Sequence, residues 1–389
     1  MKTTETHATV DENLSVVLDF FRWLSALIVV VGHSRAIFFV PWDQVKHKDI
    51  LSTALYFVSG WGNYGVMMFF AISGFLIGGG VLEKFKIGKF SFAQYFINRF
   101  TRIYIVLLPA LLLVWILNVA GLKWLNALGI YTQGYPIGAL GLDVRDAIGP
   151  ANFIYNLLML QNVLGPPFGT AQPLWSLNWE WWSYMLAPFS LGLLTRIGGR
   201  WAVLLSAGLA VAFVAAGFEY VLFWHLGILL ALARFQYRAA LISLAGVMCL
   251  LIPIATRSTL LPADLTTQIP FMLSFVLLLS QLRHVALPGW WHKIPHKWLA
   301  GFSFSLYVLH TTILVTLVAC LQTYFSFPRQ LQPSAINYLQ YLILLIVVYA
   351  ISYCFAHLTE ANTGRLRKVI RKHVSVERSY GIIKDGTRK

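Results

Sequence analysis

The chain has 389 residues, of which 58% are hydrophobic, 15% aromatic and only 12% charged, a balance that leaves too little polar surface to cover a soluble domain of this size. A polytopic membrane protein is implied. The formal charge of +15 would serve a nucleic-acid reader only on a solvated basic face, and most of this chain is apolar runs of spanning length, so no nucleic-acid partner is expected and the basic residues are read as topology signals. Cys249, Cys320 and Cys354 all sit inside apolar stretches and read as small buried hydrophobes, with neither a disulfide framework nor a metal site.

A spanning helix needs roughly 20 apolar residues, which places candidate spans near 16–39, 61–82, 103–121, 174–193, 201–217, 220–233, 239–255, 269–282, 300–323 and 337–358. The expected fold is therefore an all-α transmembrane helix bundle of about ten spans. Residues 1–15 read as a polar N-terminus, 16–358 as the membrane domain and 359–389 as a basic tail suited to anionic lipid headgroups. No cleavable signal peptide is expected, since no small-residue cleavage site follows a short apolar core.

Lysine and arginine set the orientation. With a cytoplasmic N-terminus the inner loops carry Lys84, Lys86, Lys89, Arg99, Arg102, Arg196, Arg200, Arg234, Arg238, Arg283, Lys293 and Lys297, whereas the outer loops carry Lys46, Lys48, Lys123, Arg145, Arg257 and Arg329. Both termini are accordingly placed in the cytoplasm. Between Gly121 and Gln172 lies a long outer loop rich in Gly and Pro, whose one apolar piece, "FIYNLLML", is too short to cross and reads as a re-entrant or interfacial helix.

Ionisable residues inside spans narrow the chemistry. In "FFRWLSALIVVVGHSRAIFF", Arg22 and His33 are eleven positions apart, which at about 100° and 1.5 Å per residue puts them on nearly one helix face, roughly 16 Å apart along the axis. Snorkelling accounts for an isolated Arg22 and a backbone-bonded core position for an isolated His33. An ionisable group deep in a span otherwise faces a polar cavity, and a histidine there suits a general base. Arg35 reads as an outer-end snorkelling residue. Arg99 and Arg102, at i and i+3, share one helix side and fit either inner-face anchoring or a clamp for phosphates or a carboxylate. Glu180 is an acid near the outer end of a tryptophan-rich helix in which Trp175, Trp179, Trp181 and Trp182 read as an interfacial belt. Such a carboxylate needs a partner, and a histidine is the natural one. Tyr184 lies one turn on, and Tyr307 and His310 share a face of the ninth span.

In order along the chain, these stretches resemble the acyltransferase 3 family of integral membrane acyltransferases. The resemblance rests on "LDFFRWLSALIVVVGH", "FFAISGFLI", "RFTRIY", "PLWSLNWEWWSYMLAP" and "SFSLYVLH", and runs from Leu18 to about His357. Departures stand beside these positions: Phe20 replaces a glycine common before the arginine, Trp181 an acid after Glu180, and Thr311 and Thr312 a proline after the last histidine. They bear on acceptor specificity more than on the reaction. A hydrolase-like domain that follows the membrane part in some relatives is not expected here.

The resemblance implies acyl transfer, most often of acetyl from acetyl-CoA as donor substrate, to a hydroxyl of a cell-surface polysaccharide or lipid-linked glycan, by a multi-pass protein of the bacterial inner membrane. O-antigen, capsule, exopolysaccharide or a small secreted metabolite fits as acceptor, and succinyl fits in place of acetyl. On this reading Arg22, Arg99 and Arg102 hold the donor, and His33 is the base or transient acyl carrier. Glu180 orients the imidazole, and Ser73, Tyr184, Tyr307 and His310 line the site. A transporter or flippase for an envelope precursor is the alternative from another class, because polar residues inside spans also mark substrate pathways, although the two halves lack matching interrupted segments.

Overall fold

A computed structural model describes residues 3–133, 143–194, 219–228, 230 and 238–373, with side chains from Asn13 onward and those of 193 and 194 excepted. Among the described residues every named element is helical. The expected span over 201–217, residues 229 and 231–233 of that over 220–233, and Arg196, Arg200 and Arg234 lie outside the described residues. So do part of the long loop and the last residues of the tail.

The bundle is built from α1 (Thr3–Phe38), α2 (Ile50–Val58), α3 (Gly62–Ser73), α4 (Gly79–Lys86), α5 (Phe92–Trp124), the short α6 (Val144–Ala147) and α7 (Pro150–Leu157), and α8 (Leu174–Leu194). After a helical stretch over 219–228 come α9 (Ala239–Arg257), α10 (Leu265–Leu282), α11 (His296–Gly301), α12 (Ser303–Tyr324) and α13 (Ala335–Leu358). Helix α1 runs on through the stretch expected to be a polar N-terminus. Seven helical segments among the described residues are long and apolar enough to cross a membrane: Asn13–Phe38, Ile50–Lys86, Phe92–Trp124, Ala239–Arg257, Leu265–Leu282, Ser303–Tyr324 and Ala335–His373.

Helix α8 occupies the expected 174–193 span but is not one of those seven. Asn178, Glu180, Ser183 and the tryptophans dilute its apolar character, and the helix tolerates them because it is interior: Asn178 and Ser183 are fully buried. A helix that faces its neighbours need not be as apolar as one that faces lipid. Helix α9 is the opposite case, with Leu244, Val247, Leu250 and Leu251 exposed.

Lipid offers little hydrophobic drive for helices to associate, so close approach through small residues does the work. Helix α3 and the 219–228 helix meet backbone to backbone: a Cβ on Gly74 would lie 1.9 Å from the Trp224 carbonyl oxygen, and one on Gly227 would lie 2.2 Å from that of Ala71. Between α3 and α4, Gly74–Gly78 forms a single π-helical turn, a device that often marks a functional segment inside a helix.

The long loop is packed into the bundle. The apolar piece expected to be a short helix is α7, held to α5 by the Tyr104 hydroxyl, which donates to the Leu157 carbonyl at 2.8 Å. Buried amides supply what irregular backbone needs at such depth: Asn118 Oδ1 accepts from the Thr170 N–H at 3.1 Å and Asn156 Oδ1 from the Phe168 N–H at 3.0 Å. Arg35, expected to snorkel at the outer end, has partners on α2 and the turn after it. Its Nε donates to the Ser59 hydroxyl at 3.1 Å and its guanidinium stacks on the Tyr56 ring, because α2 folds back within reach.

Candidate active site

At the basic end of the bundle a cavity of about 630 Å³ opens between α1, α3, α5, α8 and α12. Its wall carries Arg22, Arg99, Arg102 and Lys297 together with Ser73, Glu180, Tyr184 and Tyr307. Seven of the nine residues singled out in the sequence therefore share one space. The remaining two, His33 and His310, are absent from the lining and pair with each other.

The cations differ in what holds them. Arg22 reaches Asp19 at 3.2 Å along the same helix, with both side chains part-exposed, an arrangement that contributes little to stability. Arg102 pairs with Glu360 at 2.7 Å. That carboxylate is 2% exposed and accepts from both the backbone N–H (3.1 Å) and the hydroxyl (2.9 Å) of Ser305, so it fixes Arg102 against the start of α12. Arg99 lies over the Tyr184 ring, and its buried Nε has no hydrogen-bond partner.

Beside Arg99 is a hydroxyl–carboxylate cluster. Trp224 Nε1–H donates to Ser73 Oγ at 3.1 Å, the Ser73 hydroxyl donates to Glu180 Oε1 at 3.0 Å, and the Tyr184 hydroxyl donates to the same oxygen. Two hydroxyl donors on one oxygen satisfy a half-buried carboxylate without a contacting cation, while Arg102 and Arg99 remain within electrostatic reach. The sequence suggests Glu180 near the outer end of its helix as the carboxylate on His33. It bonds Ser73 and Tyr184 instead, because the α8 turn that carries it stands beside the end of α3.

His33 is partnered by His310. The ring nitrogens His33 Nδ1 and His310 Nε2 are 2.8 Å apart, and the planes are 5° from parallel. His310 is fully buried, and its Nδ1 faces the carbonyls of Tyr307 (2.8 Å) and Leu306 (3.1 Å) in its own helix. Carbonyls only accept, so Nδ1 of His310 carries the hydrogen; in the neutral ring its Nε2 then accepts from Nδ1–H of His33. That leaves the lone pair of His33 on Nε2. The Tyr307 ring, bonded through its hydroxyl to Ser176 at 2.7 Å, lines the cavity while its carbonyl holds His310, and so connects the two halves of the site.

Asp19, Lys297, Trp224 and Glu360 were not singled out from the sequence. Glu360 did leave a signal: no acid intervenes between Asp264 and Glu360, so its appearance at the end of the last span is conspicuous. No curated protein and no solved structure matches the chain. A family model described as an acyltransferase domain does, over residues 16–357. With that match covering nearly the whole length, and the family's expected motif residues gathered around one cavity and one histidine pair, the chain belongs to the acyltransferase 3 family.

Proposed function

We propose that the protein is an integral membrane O-acyltransferase of the bacterial inner membrane that takes an acetyl group from cytoplasmic acetyl-CoA and delivers it to a hydroxyl of a cell-envelope glycan. The observation that supports this reading is the cavity that gathers three arginines and a lysine with a cluster of Tyr184 and the half-buried Glu180 on its wall, and a histidine pair behind Tyr307. Arg22, Arg99, Arg102 and Lys297 give an anionic donor its charge complement.

In the transfer step Nε2 of His33 takes the proton of the acceptor hydroxyl, and the freed oxygen attacks the thioester carbonyl carbon. The carbon–sulfur bond breaks and CoA leaves as a thiolate, which takes the proton back from the imidazolium. His310 holds the tautomer that keeps Nε2 available, the part a carboxylate plays in a hydrolase triad. The Ser73–Glu180–Tyr184 cluster shapes the wall along which the acyl arm lies. For the acyl carbon to meet His33 the arm must pass the Tyr307 ring.

The test is direct. Purified protein in lipid nanodiscs receives [14C]acetyl-CoA and an envelope glycan fraction, and free CoA and labelled glycan are measured. Release of CoA with labelling, lost in His33→Ala, supports the reading; movement of glycan across the bilayer of sealed proteoliposomes holding the same protein, with no CoA release, would replace it with a flippase.

A further inference from the structure

Beyond the stretch that matches the family, Thr359 leaves the α13 helix (φ −117°, ψ −79°), and a further helix covers 363–373. Two contacts hold it to the first turns of α5. Glu360 pairs with Arg102, and the Arg371 guanidinium donates to Asn98 Oδ1 at 2.9 Å. Spacing then divides this helix into two faces. Arg365, Lys368 and Lys372 are exposed, as a segment lying against headgroups or water would have them, whereas Arg367 is half-buried.

The surroundings of Arg367 are positive. Its guanidinium lies within electrostatic range of Arg99, Arg371 and Arg102, and its Nε, like that of Arg99, is buried with no hydrogen-bond partner. Arg22 has Asp19 and Arg102 has Glu360, but neither Arg99 nor Arg367 forms an ion pair among the described residues. Arg99 lines the cavity and Arg367 does not; the tail helix, bonded at Asn98 next to Arg99, brings Arg367 beside that lining residue. Two guanidinium groups held together with buried donors unused are the complement of a dianion with several oxygens.

We propose that Arg367, together with Arg99, binds a phosphomonoester at the rim of the cavity, and that this group is the 3′-phosphate at the end of the donor remote from its acyl group. The inference rests on the donor reading given above. A lipid headgroup phosphate shares the chemistry, but it would be met on the exposed face that carries Arg365, Lys368 and Lys372. The tail is then part of the donor site and discriminates between CoA and its dephosphorylated form.

The experiment uses the full chain in nanodiscs of phosphatidylcholine and, separately, of phosphatidylcholine with phosphatidylglycerol, titrated with acetyl-CoA and with 3′-dephospho-acetyl-CoA by calorimetry. The wild type is expected to bind acetyl-CoA at least tenfold more tightly in both lipids. Arg367→Gln removes that ratio by weakening acetyl-CoA alone, and Arg367→Lys, which keeps the charge and loses the fork, retains part of it. An unchanged ratio in a monodisperse Arg367→Gln protein overturns the proposal. So does an effect of the substitution confined to phosphatidylglycerol nanodiscs, which assigns Arg367 to lipid. A wild type that binds neither probe fails the donor reading itself.

Discussion

His33 and His310, 277 positions apart in sequence, meet edge to edge in nearly one plane, with Nδ1 of the first 2.8 Å from Nε2 of the second. The carbonyls of Leu306 and Tyr307 decide the direction of every proton in the pair, since they can only accept. A histidine on one helix thus sets which nitrogen of the other is basic.

Replacing His310 should therefore damage turnover more than binding. His310→Ala is expected to lower acetyl transfer by about 10²-fold or more, the scale on which a misoriented or mis-tautomerised base fails, while acetyl-CoA affinity stays within twofold. Steady-state turnover and calorimetric titration on the same nanodisc preparation check both halves; equal losses in each would make His310 a packing residue.

The cluster around Glu180 makes a second expectation. Tyr184→Phe removes one of the two hydroxyl donors from a half-buried carboxylate, a loss of about 0.5–1.5 kcal/mol. Glu180→Gln, which keeps the volume and needs less compensation, should cost less. Thermal unfolding of the detergent-solubilised variants ranks them, and a Tyr184→Phe protein as stable as wild type would show that the hydroxyl is dispensable.

Glu360 offers a test of how Arg102 is held. Glu360→Ala leaves Arg102 and the Ser305 N–H without their acceptor, at about 1–3 kcal/mol in stability, with a donor KM several-fold higher because the guanidinium is released from the cavity wall. Glu360→Gln can still accept from Ser305 and should recover most of the stability but not the KM. Parallel movement of both quantities in the two variants would reduce Glu360 to a structural cap.

Two glycines in neighbouring turns form a matched pair. A Cβ at Gly74 would sit 1.9 Å from a backbone carbonyl oxygen, whereas one at Gly80 meets nothing within 4 Å. Gly74→Ala must push two helix backbones apart, at a cost of about 1–3 kcal/mol or more. Gly80→Ala should be neutral or stabilising by a few tenths of a kcal/mol to about 1 kcal/mol, as alanine replaces glycine in a helix. Melting temperatures of the two variants decide it.

Relations within one helix were legible in the sequence. The 3.6-residue period puts Arg22 and His33 on a face and Arg99 beside Arg102, and the length of apolar runs locates the helices that carry them. What period cannot give is which helix stands opposite. Glu180 has the composition of a histidine's partner, yet α8 meets α3 at Ser73, and the residue that faces His33 comes from α12. Helix α8 lies where the 174–193 span is expected but is less apolar than the seven, because hydropathy measures fitness for lipid and α8 faces protein. Glu360 and Arg367 fall within the basic tail in the sequence, because net charge conceals a lone acid and does not separate an inward arginine from outward ones.

The π turn at Gly74–Gly78 gives the segment after Ser73 one residue more than a regular helix of the same rise would use. Each residue rotates a helix by about 100°, so the surplus sets the angular offset between Ser73, which serves the cavity, and Val81 and Leu82, which are buried in the core. A one-residue deletion there would leave every side chain chemically intact and still turn the following helix by about a quarter of a revolution or more. The number of residues in "SGFLIGGG" is as much a part of the information that builds the cavity wall as their identity.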